Sequence, residues 1–257
     1  MAGTFYPGDA AGLAAEVAAY LAEAGAGGAP GRAPKAIIAP HAGYMYSGPV
    51  AASVYARLAP LRSSVTRVVL AGPAHRVFVR GAAIPDAEAF DSPLGAVRLD
   101  RPLLERLGAL PFVEVSARAH AFEHSLEVHL PFLQTVLDAF TLVPLVVGDA
   151  TPGQVAQILE LAWGGAETLV VVSSDLSHYH PYGVAQAMDR RTSERILRLD
   201  TTLEPEEACG AAPINGLLEV ARRRHLAPEL LDLRNSGDTA GGRDRVVGYA
   251  AFAFHER

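Results

Sequence analysis

The chain is poor in the residues that staple, anchor or strongly charge a protein. Its 257 residues include one cysteine, Cys209, which excludes an internal disulfide and leads us to expect a reducing, cytoplasmic compartment. No apolar run approaches the ~20 residues that a membrane-spanning helix needs. The opening MAGTFYPGD has neither a charged n-region nor an apolar h-region, so no signal peptide is expected. The formal net charge is −6, and the basic residues gather only at Arg222-Arg223-Arg224. That balance argues against a nucleic-acid surface, and three cations late in a helix complement its dipole.

Apolar residues are plentiful, at 50% of the chain. They supply the core of one large α/β domain, expected over residues 1–257. Short buried runs at 36–39, 67–70, 140–147, 168–173 and 246–254 read as strands. Segments at 9–24, 49–58, 101–107, 152–161, 183–199 and 213–225 read as helices, the first capped by Asp9 and the second opened by Pro49. Residues 25–34 are rich in Gly, Ala and Pro and read as a loop, and 77–99 as an irregular β insertion or hairpin. Residues 121–137 are helical in pattern but contain Pro131, which leaves two short helices or one kinked helix open. Apolar strands alternating with helices predict an α/β fold with a central mixed, mostly parallel sheet flanked by helices.

Three of the strands run into a histidine. Ile37-Ile38-Ala39 leads to His41, Val69-Leu70 leads through Gly72-Pro73 to His75, and Val171-Val172 leads through Ser173-Ser174-Asp175 to His178. One such histidine would more often be a hydrogen-bonded structural residue. Three at equivalent positions point to the carboxyl edge of a sheet, where α/β folds place ligands, and suit metal binding or proton transfer. Asp175, three residues before His178, either orients that imidazole or caps a following helix. Glu123, His124, Glu127 and His129 form a second polar cluster. Glu123 and His124 are adjacent and are expected to point apart, so solvated helix positions with one satisfied buried histidine are the plainer reading. Cys209 precedes the helix opened by Pro213, where the dipole favours a thiolate, or it is a small buried apolar residue.

The runs FYPGD (5–9), IIAPHAGYMYSG (37–48), GPAHR (72–76), EHSLEVHLPF (123–132), VVSSDLSH (171–178) and CGAAPI (209–214) resemble the Memo family, whose bacterial members are also called AmmeMemoRadiSam system protein B. The resemblance spans nearly the whole chain. It implies a fold similar to class III extradiol dioxygenases of the LigB type. It also implies a metal held at His41, His75 and Cys209, with His178 and Asp175 as the catalytic acid–base pair. Tyr44, Tyr46, His124 and Glu127 would line the substrate pocket. Fe(II) is the expected metal, with copper and zinc as alternatives, and radical-SAM and AMMECR1-type proteins are the implied partners. The expected activity is that of a metal-dependent oxidoreductase. A peptide- or anion-binding module without turnover and a zinc-dependent hydrolase are the alternatives.

Overall fold

The computed structural model describes residues 1–26 and 32–256, so residues 27–31 of the expected loop lie outside it. Helix α1 (Ala10–Ala26) opens with the Asp9 carboxylate accepting the Gly12 N–H at 2.8 Å. After β1 (Ala36–Ala39) comes α2 (Tyr44–Tyr55), which starts well before the helix expected from Pro49. The Gly43 carbonyl accepts from Tyr46 and Ser47 and opens it early. Pro49 then lies inside the helix and leaves one turn's bond unmade.

Strand β2 (Arg67–Pro73) runs past Leu70 through Gly72 and Pro73. The expected β insertion resolves into β3 (Ala82–Ile84) and a hairpin of β4 (Ala89–Ser92) with β5 (Gly95–Arg98). Helix α3 (Arg101–Gly108) is capped by Asp100, whose carboxylate accepts the Leu103 N–H. Strand β6 (Val113–Val115) and helix α4 (Ala117–Ala121) are too short to show an apolar period, which is why the sequence hides them. The ambiguous stretch that follows is two short helices, α5 (His124–Glu127) and α6 (Leu130–Val136). Pro131 sits in the first turn of α6, where its missing N–H has no helical partner to lose.

Next come β7 (Thr141–Val147) and α7 (Pro152–Ala162), the latter opened by a reciprocal cap between Thr151 and Gln154. Strand β8 (Thr168–Ser173) has the expected bounds. The chain then makes a short strand, β9 (His178–His180), before α8 (Tyr182–Leu197). Helix α9 (Ala211–Arg223) leads into β10 (Ala227–Asn235) and the closing strand β11 (Val246–His255). Strand β10 lacks a clean alternation because most of its residues are only half-buried.

Among the described residues the main sheet runs β10-β11-β1-β8-β2-β7-β3-β6, with β9 added on β11. Its centre, β1-β8-β2-β7, is parallel, and β11 and β3 flank it antiparallel. The four central strands are buried almost throughout, which explains why they read as unbroken apolar runs. Helix α9 packs on α7 and against β2 and β8, while α1, α2 and α6 pack on one another. Lys35, the one lysine of the chain, enters β1 from the opposite end to His41. Its ammonium donates to the carbonyls of Trp163, Gly165 and Thr168 beyond α7. No helix among the described residues is long and apolar enough to cross a membrane.

Candidate metal centre

Register decides which side chains meet. Ala39 pairs with Ser173 and Val172 with Ala71, so β1, β8 and β2 end side by side. His41, Asp175 and His75 each follow a strand end by two residues. Helix α5 closes the site from above β2, where Ser125 Oγ donates to the Pro73 carbonyl at 2.9 Å. Gly72 makes that approach possible: a Cβ there would lie 2.9 Å from both Leu126 Cδ2 and Ser125 Oγ.

Three imidazoles converge. His41, His75 and His124 each offer a ring nitrogen, and these atoms all lie within 4.8 Å of one another. The ring of His75 stacks on that of His124, and His41 meets both edge-on, with centroids 5.1 and 5.4 Å away. Burial first, then the neighbouring histidines, holds His41 well below the usual imidazole range. Burial and His75 push His124 down to about 4. Both are therefore neutral near pH 7 and have lone pairs to give.

Glu123 holds His75 from behind. Its carboxylate accepts the His75 backbone N–H at 2.6 Å and the ring Nδ1–H at 2.9 Å, and also caps Ser125 at 3.0 Å. Burial alone would raise this carboxyl, but these hydrogen bonds keep it at about 2. With Nδ1 engaged, His75 turns Nε2 outward. His124 Nδ1 is buried with no hydrogen-bond partner, although Glu123 Oε1 lies 3.4 Å away without the geometry of a bond. Neutral imidazoles, an unengaged buried nitrogen and a nearby sulfur are a donor set suited to a transition metal. Here the expectation that Glu123 and His124 point apart fails. Glu123 is the extended residue ahead of α5 and not part of its helix, so the helical rule for neighbours does not hold.

Cys209 Sγ lies 3.3 Å from His41 Nε2 and accepts the Asp175 N–H at 3.3 Å. Gly210 lets it come so close, since a Cβ there would sit 2.6 Å from the Ser173 carbonyl. The expected thiolate is not what the site favours. Burial, then the Asp175 charge, pushes the thiol up to about 12 despite the helix start beside it. Asp175 does not face His178 either. Its Oδ1 accepts the His41 N–H at 2.8 Å and its Oδ2 lies 4.0 Å from His41 Nε2, while burial raises the carboxyl to about 7. Nor does it cap a helix, because the chain runs on into β9. His178 instead turns Nδ1 to the Leu176 carbonyl at 2.8 Å, and burial lowers its pKa.

Tyr44 is buried to 3% exposure, with its hydroxyl donated to the Val128 carbonyl, so it supports the floor of the site. Tyr46, two residues on and therefore on the other side of α2, is half-buried. Glu127 accepts from the Tyr6 hydroxyl at 2.5 Å and pairs with the Met1 ammonium at 2.8 Å. Ser173 carried no expectation of its own as a site residue, while His129 is the one satisfied buried histidine expected of the second polar cluster; both lie in the floor below His41. A hydroxyl ending an all-apolar strand was the signal available for Ser173.

Fold and site together define an α/β protein with a histidine-lined candidate metal centre at the carboxyl edge of its parallel strands. The chain belongs to the Memo-like protein family, whose profile matches residues 1–253. It is 34% identical to a MEMO1 family protein of Metallosphaera sedula, over 100% of this chain and 98% of that one. It is 36% identical to MEMO1 family proteins of Methanothermobacter thermautotrophicus, covering 97% of each chain, and of Ignicoccus hospitalis, covering 99% of this chain and 96% of the relative. The fold is similar to the crystal structure of an uncharacterized protein, JW3007, from Escherichia coli K12. The TM-score is 0.52 at 16% identity, over 85% of this chain and 99% of that one.

Proposed function

We propose that the protein is a cytoplasmic metal-dependent oxidoreductase whose iron or copper is held by His41, His75 and Cys209, with His124 as a further donor. The observation that carries this reading is the convergence of three imidazole nitrogens within 4.8 Å, with Cys209 Sγ 3.3 Å from His41 Nε2. A bound iron or copper would supply one-electron chemistry and an open coordination position. The chain's own residues do the rest. Glu123 holds the His75 ring with Nε2 forward, and the Leu176 carbonyl does the same for His178. His178 and Asp175 stand at the same sheet edge as the proton carriers, and Tyr46 and Glu127 line the approach. Ligation by Cys209 requires its proton to leave, so binding is expected to release protons.

Metal analysis and spectroscopy of protein purified anaerobically, beside His41→Ala and Cys209→Ala, test this. The proposal expects a reducible iron or copper signal that both variants lose. A wild type without a transition metal, or variants that keep it fully, would refute it. A second reading, a zinc-dependent hydrolase, is favoured by the three-imidazole set itself, which also suits zinc with one open position. It predicts stoichiometric, redox-silent metal retained in Cys209→Ala. The radical-SAM and AMMECR1-type partners belong to the same proposal and rest on family membership; co-purification from cells tests them.

A further inference from the structure

Beneath the histidines, one buried hydroxyl is shared by three groups. Ser173 Oγ donates to the Ser125 carbonyl oxygen at 2.5 Å. It also lies 2.6 Å from His41 Nδ1 and 2.8 Å from His129 Nε2. A serine hydroxyl has one proton and two lone pairs. A carbonyl oxygen only accepts, so the proton goes to Ser125. Both lone pairs remain for the imidazoles, and each imidazole must donate. His41 therefore carries its proton on Nδ1 and presents Nε2 as a lone pair, and Nε2 is the atom facing Cys209. The opposite tautomer would set two acceptors against each other at 2.6 Å.

The same count continues one residue further. With its proton on Nε2, His129 has a lone pair on Nδ1, and the Tyr55 hydroxyl donates to it at 2.8 Å. Tyr55 is held in turn by stacking on Phe132, centroids 4.9 Å apart and planes 9° from parallel. Ser173, His41, His129 and Tyr55 are all buried, so solvent offers no competing partner for these protons. Every donor and acceptor in the set is then satisfied by a single arrangement.

We propose that Ser173 is a positioning residue, backed by His129 and Tyr55, that sets the tautomer and orientation of His41 so that Nε2 is delivered to the metal. The inference rests on the metal-centre reading above. Outer partners of a histidine ligand fix its tautomer and commonly carry ten- to hundredfold in metal affinity.

The test uses nitrogen-15 NMR of the histidine rings in metal-free protein, together with anaerobic Fe(II) titration against a competing chelator. In the wild type we expect His41 protonated on Nδ1 and His129 on Nε2. In Ser173→Ala we expect His41 to become a mixture of tautomers and Fe(II) affinity to fall about ten- to hundredfold. Tyr55→Phe should perturb the His129 ring while His41 keeps its tautomer. If Ser173→Ala does not fold, Ser173→Cys, which keeps a side chain there but accepts weakly, is read in the same way. A wild-type His41 protonated on Nε2 overturns the proposal. So does a Ser173 variant that keeps both the wild-type tautomer and the wild-type affinity. A wild type with the assigned tautomers that binds no metal would refute the metal-centre reading and leave the tautomer assignment standing.

Discussion

The imidazole of His124 lies nearly flat on that of His75, with centroids 4.7 Å apart and planes 19° from parallel. Phe5 stacks on His124 at 4.5 Å, so the ring is held by packing and not by hydrogen bonds. Replacing it with another flat ring should therefore separate packing from ligation. His124→Phe is expected to change stability by less than about 1.5 kcal/mol, as a shape-conserving swap. Metal affinity should drop about tenfold or more if the ring nitrogen is a donor. Thermal melts beside chelator-competition titration would show both, and unchanged affinity would remove His124 from the donor set.

Glu123 is the support of His75. Glu123→Gln keeps the shape but gives up the charge that accepts the ring Nδ1–H, the His75 N–H and the Ser125 N–H. We expect a loss of about 1–3 kcal/mol in stability and a ten- to hundredfold loss in metal affinity, roughly the range for outer partners of ligating histidines. Urea denaturation of the metal-free variant measures the first and metal titration the second. An affinity equal to the wild type would show that the carboxylate does not orient His75.

The pH dependence can be read at His120, which lies outside the three-histidine cluster. His120 donates Nε2–H to the Ala83 carbonyl, and burial pushes its pKa down to about 4 from the usual 6.5. The unfolded chain therefore binds more protons than the folded one between those values. The stabilisation is full above pH 6.5 and is lost as pH falls through 6.5 towards 4, by about 2 kcal/mol between pH 7 and pH 5. Against His120→Gln, which can still donate to the carbonyl, the wild type should lose that much more stability over the same range. Parallel pH profiles for the two proteins would contradict this.

Lys35 provides a contrast at the far end of β1. Its ammonium satisfies three carbonyl oxygens at 2.6–2.8 Å. Lys35→Met should cost about 2–4 kcal/mol, because those oxygens lose a charged donor. The midpoint in urea should fall with little change in slope. Metal affinity should stay within about twofold, since the residue acts on stability and not on the site. A fall in affinity parallel to that of Glu123→Gln would show that the two ends of β1 are coupled.

The strands were legible because parallel strands buried on both faces leave unbroken apolar runs, and β8 has the very bounds its valines imply. So was the pattern of strand followed by histidine for His41 and His75, whereas His178, the third it named, is not one of the three clustered rings. Strand β10 and the short β6 and β9 were not legible, for they are partly exposed or too brief to show a period. The start of α2 was misjudged because proline is common in a first turn, although nothing compels it to be there.

What the chain determined alone was the set of chemical groups and the kind of scaffold: a parallel core, histidines at its strand ends, one thiol. Which groups meet was decided by tertiary structure. Asp175 turned to His41 and away from His178, because parallel pairing of β1 with β8 sets Ala39 beside Ser173. His124 entered the cluster because α5 lies across β2 at Gly72, a contact between segments far apart in sequence. The Cys209 thiol is pushed up because it is buried beside a carboxylate, whereas the helix start alone would have lowered it. Spacing along the chain carries neighbour relations within one element. Register, close approach and burial arise only when elements pack.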